Sequence, residues 1–149
     1  MTAKSAFSDE GWKTVLAGPT SAGMIVLMAQ SGGTWSEMWA MSKAYAEARQ
    51  QHGESEVLDA LVAEKPKVDR HKYGTPEALR TDGVARLQQA VAALEAKGTP
   101  DDVQAYQRFV LELARRVAAA HKEHGEEISP AEQEALDAIA AALGVQAAS

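Results

Sequence analysis

The residues best suited to metal chemistry cluster at His121-Lys122-Glu123-His124-Gly125-Glu126-Glu127. Two imidazoles three apart share a helix face, and carboxylates follow directly, so a divalent cation is the ligand such a cluster would take. Cationic and histidine side chains are also favoured at a helix C-terminus by the dipole alone, and no third ligand stands at zinc-like spacing. A solvated helix end is therefore the expectation here. The basic run Lys65, Lys67, Arg70, His71, Lys72 and Tyr73 is the second cluster. It suits an anion or an acidic partner and falls in a connecting segment, where function often resides, although a solvated loop is the preferred reading.

The third cluster is apolar. Met24–Lys43, MIVLMAQSGGTWSEMWAMSK, contains Met24, Met28, Met38 and Met41 together with Trp35 and Trp39. Methionine adapts to irregular apolar surfaces and tryptophan supplies large contact area. A small apolar ligand or a protein partner could thus be held by Met24, Met28, Trp35, Met38 and Trp39. The same enrichment is explained by packing between two helices of a core, which is the reading preferred for most of these side chains.

Catalytic signatures are missing from the sequence. It has no cysteine, which removes thiolate nucleophiles and thiolate metal sites. It has no nucleophile elbow, no phosphate-cradling glycine loop and no HExxH. The expectation is a non-enzymatic binding or interaction protein with no cofactor evident; an enzyme whose site residues are scattered in sequence is the alternative.

Composition bounds the rest. The 149 residues suit one domain able to bury a core without staples. The formal net charge is −6, which argues against nucleic acid as a partner. The start, MTAKSAFSDEGW, has no apolar stretch of the signal-peptide kind, and Met24–Ala29 is far too short to cross a bilayer. A cytoplasmic protein with no membrane partner is expected.

The elements that must position these residues are helices. Thr75-Pro76-Glu77, Thr99-Pro100-Asp101-Asp102 and Ser129-Pro130-Ala131-Glu132 each offer a capping hydroxyl, a proline where no N–H is needed and an acid for the dipole. Ser8 reads as another cap, with Phe7 and Trp12 placed as a hydrophobic staple, and Thr34-Trp35-Ser36-Glu37 as a capping box. Apolar residues recur at three- and four-residue spacing between the caps. Gly18-Pro19, Gly32-Gly33, Gly53, Gly98, Gly125 and Gly144 read as stops, and Gly83 as a kink or break. The expectation is one all-α domain over residues 1–149, with residues 1–7 and 145–149 frayed. It is a compact bundle of about seven helices, near 9–17, 20–30, 35–51, 55–64, 76–97, 100–122 and 130–143, around a buried helix at Met24–Ala29.

Two segments repeat one plan. An apolar helix leads through SGGTWSEMW in one, and a helix leads through HGEEISPAEQEAL in the other; each is a Gly turn and then a capped helix with Glu37 or Glu132 at its third position. This resembles the helix, Asp-Gly-x-Ile/Val-Ser/Thr-x-x-Glu, helix units of the TerB-like tellurite-resistance family, although Ser31 and His124 stand at the turn Asp positions. The resemblance covers about forty residues. It implies an all-α fold of about seven helices and a metal-responsive stress protein, with Glu37 and Glu132 as metal ligands alongside His121 or His124.

Overall fold

A computed structural model describes residues 7–29, 35–51, 55–64, 76–122 and 130–145, apart from the side chains of 27–29, 35–38, 76, 120–122 and 131. The described secondary structure is entirely helical: α1 (Asp9–Ala29), α2 (Trp35–Gln50), α3 (Glu56–Ala63), α4 (Pro76–Lys97), α5 (Pro100–Lys122) and α6 (Pro130–Leu143). α1 lies chiefly along α4 and α5 and also meets α6 and α2; α2 lies along α5, and α3 fills in against α2 and α5. No helix among the described residues is long and apolar enough to cross a membrane.

The helix starts follow from local chemistry. Ser8 Oγ accepts the Gly11 N–H at 3.0 Å, and the Phe7 and Trp12 rings meet at 5.7 Å, so cap and staple together fix the entry to α1. At α5 the box is reciprocal: Thr99 Oγ1 accepts the Asp102 N–H at 3.2 Å, and Asp102 Oδ2 accepts the Thr99 N–H at 3.1 Å. α6 ends as a glycine terminus should. Gly144 has φ +81°, its N–H reaches Ala141 O, and Val145 N–H reaches Ala140 O, which is the paired bonding of a Schellman motif.

Two expectations about breaks are corrected. The helices expected at 9–17 and 20–30 are one, so among the described residues six helices stand where about seven were expected. Pro19 lies inside α1. A proline within a helix has no N–H for the carbonyl four residues earlier, here that of Val15. The Tyr106 hydroxyl, wholly buried on α5, donates to Val15 O at 2.7 Å and supplies the missing partner. Gly18 makes the approach possible, because a Cβ there would lie 1.9 Å from Tyr106 Oη. The orphaned carbonyl is thus paired through tertiary structure, and the helix continues. Gly83 does not divide α4 either. It is buried where α4 crosses α1, and a Cβ there would lie 2.7 Å from Ile25 Cδ1.

The core is continuous. Val15, Ala22, Met24, Ile25 and Val26 of α1 are buried with Leu87, Ala90 and Leu94 of α4, Tyr106, Val110, Leu113 and Val117 of α5, and Ile139 and Leu143 of α6. Met24, Ile25 and Val26 thereby take the buried place expected of the apolar run.

Candidate functional site

Thr20, Ser55, Asp102 and Glu132, polar side chains buried in this core, have partners within the chain. Ser55 caps α3 by accepting the Leu58 N–H at 3.2 Å, and its hydroxyl donates to Asp102 Oδ1 at 2.6 Å. Two helix N-termini therefore share one buried carboxylate. This joint was not foreseen, although a serine just ahead of the Val57, Leu58, Leu61 and Val62 stripe is a recognisable cap signal. Trp12 Nε1 donates to Glu64 Oε2 at 3.0 Å and ties the start of α1 to the end of α3. These contacts organise structure.

α2 is different, because its two faces have unlike fates. Met41, Ala44 and Tyr45 are buried; Met41 reaches Gly23 of α1, where a Cβ would lie 2.2 Å from Met41 Cε, and the Tyr45 ring stands edge-on to Phe109 at 5.3 Å. Burial pushes the Tyr45 hydroxyl above its ordinary pKa, against a smaller opposing pull from Arg49. The helix is anchored at its sides as well: Arg116 of α5 pairs with Glu47, and Arg49 Nε donates to Val62 O of α3.

The opposite face is open. Trp39, Ser42, Lys43, Ala46, Arg49 and Gln50 are all exposed and recur at helical spacing, so they form one stripe along the helix. Trp39 is 67% exposed and is the one large hydrophobic side chain so exposed among the described residues. Lys43 Nζ stands 5.2 Å from the centroid of the Trp39 ring, a cation–π contact. Lys43 forms no ion pair among the described residues.

Of the five apolar residues singled out in the sequence, Met24 is buried in the core and Trp39 is on the outer face, so these two are not brought together. The side chains of Met28, Trp35 and Met38 lie outside the described residues, as does that of Glu37. Lys67, Arg70, His71, Lys72 and Tyr73 also lie outside them, together with His124 and the His121 side chain. Glu132 is buried, only 1% exposed, in the first turn of α6. Among the described residues no three His, Asp or Glu side chains converge on a point that would hold a metal ion. No family model, curated protein or solved structure matches the chain.

Proposed function

We propose that this chain is a non-enzymatic interaction protein that docks a protein partner on the outer stripe of α2, with Trp39 as the anchor. The observation that carries this reading is the 67% exposure of Trp39 on a helix otherwise fastened into the core. An exposed leucine would need no explanation. Tryptophan is another matter, since it presents roughly 150–250 Å² of surface and is among the residues most enriched at the energetic centres of interfaces. Its backbone is held by Met41, Tyr45, Arg49 and Glu47, so little conformational entropy is lost when a partner covers it. The other form of the reading, a small apolar ligand enclosed by Met24, Met28, Trp35, Met38 and Trp39, is less well supported, because an enclosing pocket needs its lining turned inward.

A photo-crosslinking residue at Ser42, in cells that express the protein, tests the proposal. Discrete protein adducts are expected, lost when Trp39→Ser is added. Adducts unaffected by that substitution, or none, would sink it.

A second reading follows the TerB-like resemblance: a metal-responsive protein using Glu37, Glu132 and His121 or His124. What favours it is the placement of Glu132, a carboxylate of the resemblance's ligand set, inside the domain in the first turn of α6. Melting curves with Ca²⁺, Mn²⁺, Zn²⁺ and EDTA test it. This reading expects a metal-induced rise in Tm that Glu132→Gln abolishes, because an amide is a poor ligand for a hard cation. No rise in the wild type would end it.

A further inference from the structure

We infer that the partner segment received by α2 is an acidic amphipathic helix, its apolar residue covering Trp39 and its carboxylates meeting Lys43 and Arg49. This rests on the docking face proposed above and adds the chemistry of its occupant.

The argument is one of charge and length. The chain as a whole carries a formal charge of −6, yet every charged residue in the exposed stripe of α2 is basic. Glu47, the acid of the second half of the helix, lies to the side and is engaged by Arg116. Lys43 has its ammonium over the Trp39 ring and forms no ion pair among the described residues, so a partner's acid would meet a charge already positioned there. Arg49 spends its Nε on Val62 O, which fixes the guanidinium at the end of the stripe and leaves its charge in place. From position 39 to position 49 the stripe runs about 15 Å at 1.5 Å per residue. That is just under three turns, the length over which a second helix lays one apolar side chain and two acidic ones along the same line. The protein's overall negative field opposes such a partner at long range. At physiological ionic strength it is screened beyond about 8 Å, so the contacting charges decide.

The test uses three fluorescent helical peptides of one length: an apolar stripe flanked by Glu, the same stripe flanked by Lys, and the Glu peptide with its apolar stripe changed to Ser. Binding to the intact protein is read by anisotropy at 150 mM salt. The first peptide is expected to saturate, and the other two are not. Lys43→Glu should weaken the first peptide about tenfold, since an attraction becomes a repulsion. Lys97→Glu, an equal charge change at the exposed end of α4, should leave it unchanged. Trp39→Ser should abolish it. If the Lys peptide binds as well or better and still depends on Trp39, the docking face stands and the acidic partner is wrong. Failure of the Glu peptide to bind also overturns the inference, while the crosslinking experiment judges the face itself. A Trp39-dependent dimer in sedimentation velocity would make the occupant a second copy of this chain and overturn it equally.

Discussion

The middle of α1 and the outside of α2 both break a local rule, and the chain treats the two violations oppositely. Pro19 and Gly18 sit inside a helix, where each is unfavourable, and the damage is repaired from 91 residues away: Tyr106 donates to the Val15 carbonyl that Pro19 leaves without a partner. α2 has no irregularity in its backbone, yet it leaves a tryptophan in water with only a lysine laid over it. A violation compensated within the chain belongs to the fold. One left uncompensated points outside the chain, because natural sequences depart from consistency chiefly where function requires it. The Pro19 region thereby belongs to stability, and the Trp39 face is the place where the proposed recognition would act.

If that division is right, the heaviest losses come from the α1 side. Val26 is 1% exposed beside Ile25. An unpaired carboxylate placed there by Val26→Asp costs several kcal/mol, of the order of the whole stability, so the variant should be unfolded by circular dichroism. A cooperative melt near that of the wild type would contradict the core described here.

Alkali should find the same region next. Burial raises the pKa of Tyr106 and of Tyr45, and in Tyr106 the neighbouring Tyr45 adds to the effect. Above the ordinary tyrosine pKa of about 10 the unfolded chain gives up these protons and the native chain keeps them. The native state then binds more protons, and stability falls as pH rises, by up to about 1.4 kcal/mol per pH unit for each tyrosine. Below pH 10 there should be no such slope. Tyrosinate absorbance should show both groups ionising with unfolding, and Tyr106→Phe should shallow the slope by about half.

A double-mutant cycle isolates the repair itself. Tyr106→Phe leaves Val15 O unpartnered and should cost about 1–3 kcal/mol. Pro19→Ala restores a backbone N–H to that carbonyl, so in the Tyr106→Phe background it should recover stability, more than it adds to the wild type. Gly18→Ala, which ordinarily favours a helix by up to about 1 kcal/mol, should instead destabilise, because its Cβ would occupy the position of the Tyr106 hydroxyl. Additive effects in the cycle would mean the hydroxyl does not stand in for the missing amide.

This repair also marks where sequence reading stopped. Five of the six described helices were legible nearly to the residue, because a cap such as Thr99 and the spacing of Val103, Tyr106, Val110, Leu113 and Val117 are local signals. Gly18-Pro19 gave an equally local stop signal, and it was overruled by a hydroxyl remote in sequence. The Ser55–Asp102 bond was invisible for the same reason: each cap is local, and their meeting is not. At the candidate site the methionine and tryptophan enrichment singled out the end of α1 and the start of α2. Composition could not say that Met24 and Trp39 would be parted, one in the core and one in water, since that depends on which face of α2 meets α5.

The smallest expected effect on stability is at Trp39, and it is where the contrast between the two regions is most exposed to failure. Trp39→Ser removes a side chain that is 67% exposed and whose recorded interaction is the Lys43 contact. Surface changes of this kind fall within about ±0.5 kcal/mol, and an exposed cation–π contact is worth about 0.5–1 kcal/mol at most. Tm should therefore shift by no more than a few degrees, and Lys43→Ala in the Trp39→Ser background should add nothing, since its ring is already gone. Solubility should improve, because an apolar surface group has been removed. A loss of several kcal/mol at Trp39 would place this tryptophan among the packed residues of the fold, erase its difference from Tyr106, and leave the outer face of α2 without an anchor.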